Sequence, residues 1–408
     1  MDQVAGSATV VPSGALTAGA RLRSIDILRG LVIVIMALDH VRDYLHISGY
    51  ALDPLDPEQS WGLLYATRWI THFCAPTFVF LSGLSAWLQH VKGKPTPILS
   101  RFLLLRGLWL LLLEVTVMSF GWAFSVPWLL FLQVIWAIGW SMIALAALVW
   151  LPRIAVLAIG IAIIAGHNLF DGVDPAALGA WGPLWQFLQT GGIWPPSAVP
   201  PEGVIAFQAY PVLAWIGVMA FGYGIGAVFL SPARDRILPF IGLGMIGLFL
   251  LLRLTSAYGD PQPWTVHADF GATLMDFLDV RKYPPSLLYV CATIGPVLML
   301  VPLIERWRGV VAEFFRTFGA VPLFAYVLHI YLVHTLSLIV LIATGRPIAG
   351  SFDAIRNAIF MPQLLEGTGQ SLWVVYATWA VAIAILYPLC RWWGDLKVRR
   401  RDWWLSYL

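Results

Sequence analysis

Residues 21–43 decide how this chain folds: Arg21-Leu-Arg-Ser-Ile-Asp-Ile-Leu-Arg-Gly30, an apolar run from Leu31 to Leu38, and then Asp39, His40, Val41, Arg42 and Asp43. The pattern predicts one long helix with a basic foot, an apolar shaft and a cluster of ionisable groups at its far end. Ionisable groups are costly inside a lipid bilayer and mark functional sites there. A packed, hydrogen-bonded helix contact is the alternative for a histidine in such a place.

Helical geometry brings three of these ionisable residues onto one face. At 100° per residue, Arg29 and His40 differ by about 20° around the axis, and Asp26 and His40 by about 40°. At 1.5 Å per residue, Arg29 lies roughly 16 Å and Asp26 roughly 21 Å below His40. In a hydrocarbon core about 30 Å thick, a helix that enters near Asp26 carries His40 past the midplane.

Composition predicts a membrane protein of the all-α, polytopic class. The 408 residues are 59% hydrophobic and only 12% charged, and the mean hydropathy is +0.79. Cys74, Cys291 and Cys390 stand at no metal-ligand spacing, so we expect neither a zinc site nor a disulfide framework. No basic patch points to nucleic acid. Residues 1–20 are small and polar, which predicts a disordered N-terminal tail.

Ten apolar segments are long enough to be transmembrane helices. We place them at about 27–47, 61–89, 102–123, 128–150, 154–170, 210–230, 237–255, 286–304, 318–342 and 371–390. With both termini in the cytoplasm, most basic residues fall on the cytoplasmic side, as the positive-inside rule requires. They are Arg21, Arg23, Arg29, Lys92, Lys94, Arg101, Arg106, Arg153, Arg234, Arg236, Arg306, Arg308, Arg316, Arg391, Lys397, Arg399, Arg400 and Arg401. This topology divides the chain into the tail, a membrane-embedded domain over 21–390 and a basic cytoplasmic tail over 391–408.

Two motifs resemble known families. Asp26-x-Leu28-Arg29, with His40 following Arg29 after ten intervening residues, resembles the Arg/His motif of acyltransferase family 3 in the transmembrane acyltransferase superfamily. The first ten residues quoted above, with Pro76-Thr-Phe-Val-Phe-Leu-Ser-Gly downstream, resemble the heparan-α-glucosaminide N-acetyltransferase catalytic-domain family. The resemblance implies a membrane-embedded acyltransferase. It would move an acyl group, most simply acetyl, from cytoplasmic acyl-CoA to an amine or hydroxyl of an extracytoplasmic glycan or small sugar, without a metal.

The resemblance also assigns the catalytic base. In acyltransferase family 3 the histidine falls at the offset of His40. In the heparan-α-glucosaminide family that position carries Asn, and a gap-free count to its catalytic histidine reaches Ala51 here, which has no such chemistry. The role therefore goes to His40, with His46 and His72 as alternatives. Imidazole suits it because its ordinary pKa lies near neutral pH.

Other ionisable residues are assigned supporting roles around His40. Asp43, at i+3, is predicted to orient the imidazole, and Asp39 points about 100° away towards a neighbouring helix. Arg68, which shares a helix face with His72, would neutralise one of these carboxylates. A purely structural ion pair explains Arg68 equally well.

At the cytoplasmic foot, Arg23, Arg29 and Arg106 with Asp26 are predicted to form the donor end, where arginine would bind the phosphates of acyl-CoA. An interfacial anchor is the alternative for Arg29. Three further residues have less specific assignments: proton handling or interhelical contact for Glu114, an acceptor contact or helix cap for His167, and a site or bundle contact for His329.

Buried charges near the midplane also favour a second function, a transporter or flippase for a sugar, a lipid or a small anion. No internal repeat supports that alternative. Under either function, the expected location is the inner membrane of a bacterium, as a multi-pass protein surrounded by lipid, and a homodimer is an open alternative.

Overall fold

The computed structural model describes residues 22–126, 129–195, 205–400, 402 and 405. The predicted N-terminal tail, 1–20, lies outside them. In chain order the helices are α1 (Arg23–Leu45), α2 (Gly62–Val91), α3 (Thr96–Ala123), α4 (Val134–Leu148), α5 (Arg153–Phe170), α6 (Val212–Leu230), α7 (Arg234–Thr255), α8 (Phe270–Leu278), α9 (Leu287–Arg306), α10 (Val310–Ala320), α11 (Pro322–Ala343), α12 (Ala354–Phe360) and α13 (Leu372–Arg399), with one extra turn at Gly182–Trp185. The all-α class is confirmed.

Eight of these helices are long and apolar enough to cross a membrane: α2, α3, α5, α6, α7, α9, α11 and α13. Two of them show why the surroundings must be lipid. Helices α5 and α7 have span hydropathies of 1.8 and 2.2, yet only 22% of each span is buried inside the protein. Outward-facing apolar surface of this extent belongs in a bilayer. The chain is an integral membrane protein.

The other two predicted spans, 27–47 and 128–150, correspond to helices α1 and α4, neither of which has both the length and the apolar composition expected of a membrane span. Helix α1 has 23 residues but too many charges to count as apolar, and α4 has only 15 residues. The predicted span 128–150 opens with a strand, Leu129–Leu132, because that segment pairs with another strand. The predicted span 318–342 is divided at Val321, since Pro322 lacks an N–H and starts a new helix. The count of ten spans stays a prediction.

Helix α1 occupies the interior of the bundle, held there by two glycines. A Cβ at Gly30 would lie 1.7 Å from the carbonyl oxygen of Phe315, and a Cβ at Gly319 would lie 1.7 Å from that of Asp26. Only glycine permits the backbones of α1 and α10 to approach so closely. We call the end of the bundle where α1 begins proximal, and the end where it finishes distal.

A small sheet lies at the distal end. Strand β3 (Ile205–Gln208) pairs in parallel with β1 (Leu129–Leu132) and antiparallel with β2 (Gly192–Trp194). The sheet ties the start of α4 to the long connection that precedes α6. It also brings Phe131 to the wall of the cavity described below.

The connection between α7 and α9, residues 256–286, forms a structure that we call the distal strap. Arg253, at the distal end of α7, holds it in place: the side chain is 2% exposed. The guanidinium donates to main-chain oxygens of four strap residues, Gln262 (2.6 Å), Asp276 (2.8 Å), Phe277 (2.9 Å) and Asp279 (2.5 Å). Burial, with a smaller contribution from Asp53, raises the pKa of Asp279 to about 6.

Replacing Arg253 with alanine should release the strap, because four main-chain carbonyl groups would lose the buried donor that they share. We expect amide hydrogen exchange across residues 256–286 to rise by at least about tenfold, with helices α1–α6 unchanged. Arg253→Lys should behave similarly, since an ammonium cannot reproduce the planar fork of the guanidinium. Arg236→Ala, at an exposed site on the same helix, is the control. Unchanged exchange in the strap of both Arg253 variants would contradict this role.

Candidate active site

The centre of the site is a pair of histidines from α1 and α11. The Nδ1 atom of His40 lies 2.8 Å from the Nε2 atom of His329, with the ring planes inclined by 19° and the ring centroids 5.0 Å apart. Trp122 of α3 packs edge-on against His40 at 4.9 Å. His329 is fully buried, whereas His40 is partly exposed to a cavity.

The hydrogen bonds of this pair define which nitrogen of His40 is basic. The Nδ1 atom of His329 lies 3.2 Å from the carbonyl oxygen of Ala325, which can only accept, so His329 Nδ1 carries the proton. In the neutral ring its Nε2 must then accept the proton of His40 Nδ1. The Nε2 atom of His40 is left with a lone pair, which is the state that a general base requires.

A network of buried ion pairs lies beside this pair. Asp39 bridges two arginines, with Oδ1 2.8 Å from Arg42 and Oδ2 3.2 Å from Arg68. Arg42 also binds Asp43, at 2.6 Å. The network joins α1 to α2 and neutralises both carboxylates. As expected from the sequence, Arg68 therefore pairs with a carboxylate of α1.

His40 and this network line a cavity of about 160 Å³, which we call the distal cavity. Its polar wall consists of Asp39, His40, Arg42, Asp43, Arg68, Thr71, Gln133, Tyr210, Lys282, Tyr283 and Tyr326. Lys282 and Tyr283 come from the distal strap, so the strap completes the wall. Charged, hydroxyl and aromatic groups thus surround one imidazole inside a membrane bundle.

A second cavity, of about 310 Å³, lies on the proximal side of the first, and we call it the proximal cavity. Arg29, Arg106 and Gln89 line it. Arg29 donates to the Ser85 hydroxyl at 2.6 Å and to the Leu81 carbonyl at 3.3 Å. The two cavities have three wall residues in common, Phe78, Val134 and Tyr326, and so adjoin.

This arrangement can be compared with known families. The model of the family described as heparan-alpha-glucosaminide N-acetyltransferase, catalytic, matches residues 21–242, more than half of the chain. The chain belongs to this family. No curated protein matches it. The match confirms the resemblance to the heparan-α-glucosaminide N-acetyltransferase family, and with it a membrane-embedded acetyltransferase-like protein; the Arg/His motif of acyltransferase family 3 stays a prediction.

Within this member of the heparan-α-glucosaminide N-acetyltransferase family, two predicted roles meet a different geometry, that of Asp43 as the orienting partner of His40 and that of His72 as an alternative base. The orienting partner of His40 is His329; Asp43, predicted for that place, accepts from Arg42 instead. His72 is buried beside Tyr289 and does not line the distal cavity. The reason is local: residues 70–73 form a 3₁₀ turn, which rotates His72 away from the position that a continuous helix would give it.

Two residues predicted for the donor end make structural contacts. Arg23 pairs with Glu313 of α10 at 2.8 Å and does not line the proximal cavity. Asp26 is buried at the close approach of α1 and α10. Arg29 and Arg106 are the members of the predicted set that line the cavity.

Glu114 and His167 form hydrogen bonds with other protein groups and do not line the distal cavity. Glu114 begins a π-helical segment, Glu114–Met118, and its Oε1 accepts from the backbone N–H of Gln133, a wall residue of the distal cavity. π-Helical turns occur frequently at functional sites. The Nδ1 atom of His167 lies 3.3 Å from Gln189 Nε2 at the distal end of α5, outside the cavity wall.

Several wall residues were not identified as candidates from the sequence, chiefly Gln133, Tyr210, Lys282 and Tyr283. For Lys282 a signal existed, because a lysine in a connection assigned to the external side departs from the positive-inside rule. The aromatic residues had no such signal in a chain with 21 Trp and 13 Tyr. Among the described residues, no group of three or more His, Cys, Asp or Glu side chains is placed to hold a metal ion.

Proposed function

We propose that this protein moves an acyl group, most simply acetyl, from acyl-CoA on the proximal side to an amine or hydroxyl of a sugar on the distal side. The observation that carries the proposal is the position of His40: a base with a free Nε2 lies in the distal cavity, which adjoins a cavity lined by arginines. Family membership supports the reaction class. The proposal takes the proximal end as cytoplasmic, in a ten-span topology in a bacterial inner membrane.

The donor is proposed to enter through the proximal cavity. Arg29 and Arg106 would bind the phosphates of acyl-CoA, for which the guanidinium fork is suited. The narrow pantetheine arm would then extend past the shared wall of Phe78, Val134 and Tyr326 towards His40. The apolar side chains in this cavity, such as Leu103 and Ile138, suit a neutral arm better than a charged one.

The chemistry follows from the state of His40. Its Nε2 accepts a proton from the acceptor amine or hydroxyl as the acceptor heteroatom attacks the thioester carbonyl carbon. The C–S bond then breaks, and the departing thiolate takes up the proton held by the imidazolium. The hydrogen bond from His40 Nδ1 to His329 keeps the ring in the required tautomer and orientation throughout. The acyl group ends on the acceptor, and free CoA returns through the proximal cavity.

Arg29→Ala and Arg106→Ala should each raise the KM for acetyl-CoA by roughly tenfold, the loss expected for one charged hydrogen bond, with little change in kcat. The measurement is steady-state transfer by purified protein in detergent micelles. Arg101→Ala is the matched control, because Arg101 is an exposed proximal arginine outside the cavity wall.

An equal rise in KM for all three variants would mean that the overall positive charge of the proximal surface causes the effect, and would contradict the donor assignment.

A separate binding measurement tests the proposed function itself. Acetyl-CoA should raise the thermal unfolding midpoint of the wild-type protein, since it binds only the folded state. A transporter of sugars or lipids should show no such stabilisation and should move labelled solute across liposomes instead.

A further inference from the structure

Lys282 differs electrostatically from the other charged residues of the distal cavity. Three cations, Arg42, Arg68 and Lys282, and two carboxylates line its wall, which leaves one excess positive charge. Both arginines form salt bridges with Asp39 or Asp43. Among the residues that the structure describes, Lys282 forms no salt bridge, and the contact of its ammonium is the ring of Tyr283, at 5.2 Å from the centroid.

Burial makes this excess charge significant. Lys282 is only 9% exposed, and an ammonium removed from bulk water loses solvation that an ion pair would otherwise replace. A ring face at 5.2 Å offsets part of that loss. An anionic ligand in the cavity would offset much more, because Coulomb attraction is stronger where water is scarce.

The neighbours of Lys282 indicate which substrate meets it. Lys282 and Tyr283 belong to the distal strap, and the Tyr283 hydroxyl donates to that of Tyr210 at 3.4 Å in the same wall. Hydroxyl groups and aromatic rings beside a cation suit a charged sugar. The donor phosphates would lie at the other end of the site, with Arg29 and Arg106.

We propose that Lys282 binds an anionic group, a carboxylate or a phosphate, carried by the acceptor sugar near the amine or hydroxyl that is acylated. The inference rests on the proposed acyltransferase function and deepens it: the acceptor is an acidic or phosphorylated sugar. Lys282 is then a determinant of specificity and has no part in the transfer of the proton.

The test uses full-length protein in lipid nanodiscs with three acceptors: glucosamine, glucosamine 6-phosphate, and a disaccharide of glucuronate and glucosamine. The value of kcat/KM with acetyl-CoA is measured for each sugar. Thermal stabilisation by each sugar is measured without the donor. The proteins are the wild type, Lys282→Met, Lys282→Arg, and Lys92→Met as an exposed lysine control outside the cavity.

We expect the wild type to prefer at least one anionic sugar, and the preferred sugar separates phosphate from carboxylate recognition. Lys282→Met should lower kcat/KM and binding for that sugar by about tenfold to a hundredfold, the range for a charge-assisted hydrogen bond, and leave glucosamine unchanged. Lys282→Arg should restore part of the preference. Lys92→Met should match the wild type.

Two results would overturn the inference: no preference of the wild type for either anionic sugar in transfer or binding, or an equal loss towards all three sugars in Lys282→Met. The donor measurement separates this failure from that of the proposed function. If acetyl-CoA stabilises the protein and no anion dependence is found, only the role of Lys282 fails. If acetyl-CoA neither binds nor reacts, the acyltransferase proposal fails, and sugar binding still decides the role of Lys282.

Discussion

His40→Ala should lower acyl transfer by about a hundredfold to ten-thousandfold, the range that a positioned general base contributes. The effect should fall on kcat, because the arginines of the proximal cavity still bind the donor. The stabilisation by acetyl-CoA should be preserved, since alanine fits the α1 helix and the proximal cavity is unchanged. The thermal midpoint should fall modestly, because the buried Nε2 of His329 loses its hydrogen-bond donor.

The matched control is His72→Gln, which replaces a buried histidine of α2 that lies outside the cavity wall. It should keep most of the activity in protein that remains folded. The opposite result, full activity in His40→Ala and loss in folded His72→Gln, would move the base to His72. His40→Gln, closer in size to imidazole, separates the loss of the base from the loss of packing against Trp122.

Asp39→Asn should destabilise the folded protein by about 3 kcal/mol or more, because removing one partner leaves a buried arginine without its countercharge. Asp39 is 8% exposed and serves both Arg42 and Arg68, so a single neutral side chain cannot replace it. The measurement is unfolding in mixed micelles with increasing denaturing detergent. Transfer activity should fall as well, since Asp39 lies one residue before His40.

A double-mutant cycle isolates this interaction from general damage. Arg68→Met combined with Asp39→Asn should destabilise the protein by less than the sum of the two single changes, with a coupling of about 1–3 kcal/mol. Glu58→Gln, at an exposed carboxylate in the connection between α1 and α2, should leave stability unchanged. Strictly additive effects would mean that the 3.2 Å contact between Asp39 and Arg68 contributes nothing to stability.

The amino-acid sequence was most informative where one helix carries its own pattern. The 3.6-residue period places Arg29 and His40 on one face of α1, and both line cavities in the structure. Hydropathy located the helices, since a segment that faces lipid must be apolar on most of its surface. Hydropathy alone places Leu129–Leu132 in a span, because a short apolar run looks alike in a strand and in a helix.

Contacts between distant segments were beyond prediction from the sequence. The partner of His40 is 289 positions away, and nothing in the α11 sequence distinguishes His329 from His334 as that partner. Local spacing favours Asp43 as the orienting partner of His40, but spacing does not show that Asp43 forms a salt bridge with Arg42 instead. Lys282 reaches the site as part of the strap, which Arg253 holds through contacts with residues 262, 276 and 279.

The close backbone contact at Gly30 and Gly319 limits how helices α1 and α10 can move relative to each other. With no room for even a methyl group between the two backbones, the close contact restricts sliding and rotation of α1 against α10. The imidazole of His40 lies ten residues further along α1, so its depth in the bilayer is tied to this contact. In the proposed reaction the donor and the acceptor would approach this imidazole from opposite sides, and any rocking of the bundle would carry both helices together.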